Sequence, residues 1–581
     1  MKNVRPEILA VRAVNQYRRR DILPYLGLRY YLANRCALRD RWAGDVASHL
    51  VISRTKPIYF PALHFKEHQE GKPLEHRQMH LPGPNEAFAE AALLDECARH
   101  TEAFQALPCV FSYRFAPAGS TEGIFEMYFS GFRERHTGVA QACRQSANAT
   151  VLYTDIKRFY PSVTTAFARN AWARACDAAT MNQEFRQLGE KLLSDHATVA
   201  TGIEKCNGLL TGPMFSHLVG NLVLREVDVR MNEVMPGRYF RYVDDIILTG
   251  QDAKVNEGRK RLSGLLEAQG LHLHESGKDF SVGGEEWLTG ESDFADDGHR
   301  PNWMTLVRGL KDLLIAKGDS RDELMKAFAA QGMRFPMPDY SESVMEASYL
   351  KRLLRRIKYG VARFQARDVT AAELIHDAVL VRDAYADALH KYLAGANQLR
   401  GYARKRRIPK LRFFAGRLTY LATPQMLLEF STSLRTLPEL RLIAEVFNTI
   451  AIEDASELLH YGANAVQAAA QVLRLTDSPV RCQPAAWQIA EIQGLAILRL
   501  NGVMVNTGKS TNDPDDELNR FALWVQGSEL MKSEEPFIRE LSCLHGIDDG
   551  RRHASLLDSA FDRDEQLAFD AIAQLQPSSY T

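Results

Sequence analysis

The chain has 581 residues, and its 72 basic side chains balance its 72 acidic ones, so net charge alone argues for no polyanionic partner. Apolar residues make up 45% and charged residues 25%, which excludes a disordered or fibrous chain and leaves room for about two to four globular domains. The eight cysteines form no Cys-x-x-Cys pair, excluding a zinc module, and the absence of a signal-like core or a membrane-length apolar run makes a cytoplasmic protein with no membrane partner the expectation.

Residues 1–50 show apolar positions at helical spacing between basic ones such as Arg18, Arg19 and Arg20, either a phosphate-facing or a solvated helix face. From 51 to 150, β-like runs are expected at 58–61, 76–82, 109–115 and 125–129, with a helix from Asn85 to about His100. Arg77 and Arg114 lie in apolar, aromatic-rich stretches, where a guanidinium wants an anion, either a core carboxylate or a phosphate.

The run Val151-Leu152-Tyr153-Thr154-Asp155 reads as a buried strand that delivers a carboxylate at its end, before Phe159, Tyr160 and Pro161. Asp155 has an ordinary alternative role as the cap of a helix starting near Ser162. Gly208 to Asn221 reads as a glycine loop running into a helix, a junction whose backbone amides favour phosphates. Tyr242-Val243-Asp244-Asp245 is flanked by apolar and β-branched residues and reads as strand, sharp turn and strand. Alone, it fits a solvated Asp-Asp turn as well as a metal site. A helix is expected from Val255 to Gln269, then a short strand and turn ending at Lys278.

Beyond about residue 300 the pattern is helical, with starts expected at Ser320, Thr423-Pro424, Leu437-Pro438, Asp454 and Gln483-Pro484. Fairly even helices with short loops point to a solenoid or an irregular bundle. Basic clusters occur at 349–359 and 400–412. The second, with Arg404, Lys405, Arg406, Arg407 and Lys410, holds seven basic residues, no acidic one and interleaved aromatics, a pattern suited to phosphates and stacked bases.

If the Asp155 strand and the Asp244 hairpin are sheet neighbours, their carboxylates can share two magnesium ions, which prefer hard oxygen ligands and leave room for water and phosphate. Two such ions would support nucleotidyl transfer. These stretches resemble the reverse-transcriptase family: Tyr242-Val243-Asp244-Asp245 is similar to its YxDD signature, Asp155-Ile156 with Phe159-Tyr160 to its first palm motif, and Gly208-Leu209 with Gly212, Ser216 and Asn221 to its glycine motif. Gly270-Leu271 with Lys278 resembles the next motif loosely. His76-Arg77 through Pro82, with Tyr113-Arg114, resembles the fingers.

The resemblance spans about residues 50–290. It implies an α+β right-hand polymerase with an antiparallel palm sheet and a helical, HEAT-like C-terminal domain. The expected divisions are 1–50, fingers and palm at 51–290, thumb-like helices at 291–345, and the repeat-like half at 346–581. It implies Asp155, Ile156, Asp244 and Asp245 as ligands of two Mg2+ ions, with Mn2+ as a substitute, and Tyr160 as a steric gate selecting deoxynucleotides. Arg77, Arg114, Ile156, Phe159 and Gly212 would contact the dNTP, and Lys278 would protonate the leaving pyrophosphate. Two departures concern the template: Leu210-Thr211-Gly212 stands where Pro-Gln-Gly is usual, and Ser216-His217 where Ser-Pro is usual.

A diverged palm joined to a long helical half looks like the bacterial abortive-infection and defence reverse transcriptases. That group implies homo-oligomers, a DNA product, and in some members synthesis without a template from a protein hydroxyl, for which Tyr580 is an exposed candidate. The alternatives are an enzyme copying a dedicated RNA and a non-catalytic nucleic-acid scaffold.

Overall fold

A computed structural model describes residues 12–13, 16–17, 21, 59–67, 73–118, 123–274, 280–291, 299–316, 321–337 and 370–508. Most of the basic N-terminal segment, Lys278, Ser320, the 349–359 cluster and Tyr580 lie outside the described residues.

The centre of the first half is a four-stranded antiparallel sheet. Strands β3 (Thr150–Asp155), β4 (Tyr239–Tyr242), β5 (Asp245–Gly250) and β6 (Phe280–Gly283) lie in the order β4-β5-β3-β6. Alternation along the strands divides its apolar residues between two buried faces, which is why β5 reads as a continuous apolar run. Val151, Phe240, Ile247 and Val282 pack with helix α2 (Tyr128–Arg144) and Trp287 of α7 (Gly284–Glu291). Leu152, Ile246 and Leu248 join the main core with Val227 of α5 (Met214–Val234) and with Val255 and Leu262 of α6 (Asp252–Glu267).

Ahead of the sheet, β1 (Tyr59–Glu67) and β2 (Glu75–Pro82) form an antiparallel hairpin, followed by α1 (Pro84–Cys97). Between β3 and α5 lie α3 (Thr165–Ala178) and α4 (Gln183–Ala200). Then come α8 (His299–Ala316) and α9 (Arg321–Ala330), and a helical half of α10 (Ala371–Leu393), α11 (Gly401–Leu421), α12 (Pro424–Leu434), α13 (Arg441–Ile452), α14 (Ala463–Leu473) and α15 (Ile489–Leu500). These last six pack as successive pairs. Among the described residues no helix is long and apolar enough to cross a membrane.

Among the described residues the two halves meet at the hairpin and behind the sheet. The hairpin β1–β2 sits on the helical half: Gln493 Nε2 donates to Pro61 O at 2.6 Å, His76 Nε2 lies 2.7 Å from His460 O, and Phe65 packs on Tyr461. Behind the sheet, Tyr402 of α11 stacks on Trp287 at 5.2 Å between ring centroids.

Several local expectations change. Residues 109–115 and 125–129 are not strands: they form only isolated bridges, Val110 with Arg241 and Phe115 with Phe125, and α2 begins at Tyr128. The reason is visible at Tyr113, whose φ of +51° turns the chain out of extended geometry. Asp155 caps no helix, since α3 is capped by Thr164, whose hydroxyl accepts from the Phe167 N–H. The start expected at Gln483-Pro484 lies instead at Ile489, where Gln488 and Glu491 form a capping box. The helical half is also less even than expected, with helices of 23 and 21 residues before four of 11 or 12.

Candidate active site

Strand β3 ends on Asp155, which pairs in register with Asp245 at the start of β5. Tyr242 faces the same Asp245 across the β4–β5 hairpin, so Val243 and Asp244 form its two-residue turn. The Asp244 carbonyl accepts the Ile156 N–H at 3.1 Å, and the Asp155 carbonyl accepts the His274 N–H at 3.0 Å. Backbone pairing thus brings Asp155 beside the Asp244-Asp245 pair from nearly ninety residues away in the sequence.

The turn is under constraint. Val243 has a φ of +57°, an outlier for a β-branched residue that persists only where its surroundings dictate it. Its N–H donates to Ser112 Oγ at 2.7 Å, and its carbonyl accepts from Arg241 Nη1 at 2.8 Å. Arg241 is 1% exposed and is itself gripped: its Nε and Nη2 donate to the two oxygens of Asp228 at 2.7 and 2.6 Å. Asn221 Oδ1 accepts from Arg241 Nη1 at 3.2 Å, and Asn221 Nδ2 donates to Ser112 O. Helix α5 therefore sets the hairpin through Asp228 and Asn221.

The charge balance at the turn is negative. Burial is the largest influence on Asp244, and the neighbouring Asp245 charge adds to it, together pushing its carboxyl up to about 7 against the opposing pull of Arg77. Oδ1 of Asp244 is buried and accepts no hydrogen bond. Among the described residues no group of three or more His, Cys, Asp or Glu is placed to hold a metal ion. A buried carboxylate oxygen with unused acceptor capacity beside two further carboxylates fits magnesium, which typically takes one or two protein carboxylates and completes its shell with water and phosphate oxygens.

Around this centre the structure sorts the other candidates. Phe159 is buried and Tyr160 half-buried, in a single helical turn from Phe159 to Ser162. Arg77, on β2, is near enough for its charge to act on Asp244. Arg114 is turned to other partners: its Nη1 pairs with Glu134 Oε2 at 2.6 Å and its Nε donates to Val110 O at 2.8 Å. Gly212 has a φ of +129°, and a Cβ there would lie 2.8 Å from His80 O. The neighbouring Thr211 carbonyl accepts the His80 N–H at 2.8 Å, so the glycine loop is stitched to β2. Gly212→Ala combines left-handed strain with a backbone clash, and a loss of about 1–3 kcal/mol is expected. Urea denaturation checks this, and an unchanged midpoint would contradict it.

The basic run on α11 does much of its work within the chain. Arg404 is bidentate to Glu439 at 2.6 and 2.8 Å, Arg406 Nη2 donates to Thr289 O at 2.8 Å, and Arg407 Nη1 donates to Tyr392 O at 2.9 Å. Lys405 lies over the Phe280 ring at 4.0 Å, and Lys410 over Tyr392 at 5.2 Å. Of the side chains expected to meet nucleic acid, Lys405 and Arg406 thus reach across to the sheet and α7, while Arg404, Arg407 and Lys410 are engaged within the helical half.

The sequence pattern gave no role to Arg241, Asp228 and Ser112, and marked His217 only as a departure from the glycine motif. Arg241 carried a usable signal, an arginine in an aromatic strand two residues before the turn, the same signal that drew attention to Arg77 and Arg114.

No protein-family model matches the chain, and no curated protein matches it. Among solved structures it is similar to telomerase from Candida albicans in complex with a fragment of telomeric RNA. The identity is 10% and the TM-score 0.27, over 71% of this chain and 70% of that one. A TM-score of that size carries no weight for activity.

Proposed function

We propose that the chain is a nucleotidyltransferase of reverse-transcriptase type that builds DNA from dNTPs and acts in antiphage defence. The observation that carries the chemistry is the register of Asp155 with Asp245, closed by the Ile156 N–H on the Asp244 carbonyl, with the Asp244 carboxylate buried beside the Asp245 charge. Asp155 and Asp244 would hold the metal ions, with Asp245 assisting and the Ile156 backbone beside them. When bound, such ions activate the attacking hydroxyl and neutralise charge on the leaving pyrophosphate.

The chain's own residues supply positioning, which is most of what phosphoryl chemistry asks of a protein. Arg77 brings a cation to the carboxylates and is placed to meet a triphosphate. The Tyr160 ring stands as a wall against a ribose 2′-hydroxyl, and the clamped hairpin keeps the acidic turn from drifting. The helical half supports the hairpin that carries Arg77, a role suited to a repeat-like scaffold in a homo-oligomer.

Purified protein given dNTPs and Mg2+, with and without RNA, tests the reading. DNA synthesis is expected, and none under any of these conditions would sink it. A product that requires RNA and mirrors its sequence would show a templated enzyme; synthesis without RNA would show a template-free one.

Metal affinity should follow the Asp244 proton. A carboxyl that titrates near 7 must lose its proton before it can bind a cation. The Mg2+-induced rise in Tm is therefore expected to grow from pH 6 to pH 8. An equal rise at both pH values would count against Asp244 as a ligand.

A further inference from the structure

The Tyr160 ring is held by a residue with no part in the acidic centre. Its hydroxyl meets His217 Nδ1 at 2.6 Å. His217 is 1% exposed, in the first turn of α5. Its ring stacks on Tyr113 with centroids 3.9 Å apart and planes 5° from parallel, and Phe125 meets it edge-on at 6.5 Å. Tyr113 delivers that stacking surface from a left-handed backbone, at a φ of +51°, a conformation that carries strain in a bulky residue and is retained where the surroundings dictate it. One turn further along α5, Gly220 leaves the space that the aromatic pair fills: a Cβ there would lie 3.0 Å from the Phe159 ring and 3.3 Å from that of Tyr160.

We infer that His217 is a positioning residue that locks the Tyr160 ring and thereby sets discrimination between deoxyribose and ribose. The inference rests on the polymerase reading above and deepens it. A half-buried tyrosine ring has more than one staggered position about its Cα–Cβ bond, and a ring that swings between them is a poor steric wall. Here a swing breaks a short hydrogen bond to a buried imidazole that is itself fixed by stacking. The wall is stiffened from behind, by groups that need not touch the nucleotide.

Two single variants remove the bond from opposite sides. His217→Phe keeps an aromatic ring on Tyr113 and deletes the ring nitrogen that bonds Tyr160. Tyr160→Phe keeps the ring of the wall and deletes its hydroxyl, and its half-buried position makes it the milder change for folding. Equilibrium binding of dATP and of ATP in Mg2+ reads the sugar preference as a ratio of Kd values. Each variant is expected to lower that ratio about tenfold, the effect of one lost hydrogen bond. The double variant is expected to do little more than either single one, since both cut the same link.

A role of His217 in packing alone would lower Tm and leave the ratio intact, and that result would overturn the inference. So would a wild-type protein that binds the two nucleotides equally, or binds neither. A preserved binding preference with no DNA synthesis would sink the polymerase reading and leave the His217 lock standing.

Discussion

Asp244→Asn is expected to lower dNTP incorporation by about a thousandfold while making the metal-free protein more stable. The two effects share one cause. A ligand of a catalytic metal contributes several kcal/mol to transition-state stabilisation, and each 1.36 kcal/mol is a factor of ten in rate. Without a cation, the same carboxylate is a burden on the fold, because burial and the Asp245 charge oppose its ionisation. The sign with pH follows. The folded-state value, about 7, lies above the ordinary 3.8, so between those values the native state holds more protons than the unfolded one. Stability from this group is therefore lost as pH rises through that window. The gain in Tm from Asp244→Asn should be negligible near pH 4, should grow towards pH 7 and should level off above it. Excess Mg2+ should shrink the gain at pH 8 by stabilising the wild type alone. Calorimetry at three pH values, with a primer-extension assay, checks both halves. An Asn variant that is inactive but less stable at every pH would mean that Asp244 is held by partners rather than left short of charge.

How much of this site was legible beforehand depended on how local each signal was. Strands β3 and β5 could be read because their apolar runs are short, β-branched and bounded by carboxylates, and no distant contact is needed to make them extended. The glycine loop was readable for a similar reason, since Gly208 and Gly212 occupy backbone conformations that disfavour a side chain. Residues 109–115 look just as β-like in composition, yet their geometry is decided from outside. The Phe111 N–H bonds the Arg241 carbonyl, Ser112 bonds the hairpin turn, and Tyr113 is twisted to stack on His217. The same limit applied to the basic run on α11. Seven cations without an acidic neighbour resemble an open patch until the fold brings Glu439, 35 residues away, onto Arg404.

Arg241 shows what that limit conceals, and Arg241→Met should be among the most damaging single changes in the first half of the chain. It would leave Asp228 as a buried charge without its guanidinium, and removing one partner of a buried pair costs about 3–5 kcal/mol. It would also release the Val243 carbonyl, and with it a turn whose φ of +57° is sustained by its surroundings. The pair Arg241→Met with Asp228→Leu separates these effects. Replacing both charges by apolar groups of similar bulk is often close to neutral for stability, so urea denaturation should show much of the loss recovered. Activity should not return, because neither replacement can donate to Val243 and the acidic turn would no longer be held against β3. If the double variant regained both stability and dNTP incorporation, the hairpin would not need its clamp and Arg241 would be a packing residue. If stability returned alone, the buried ion pair would be serving the geometry of the carboxylates. Its desolvation cost would then be sustained for the placement of Asp244.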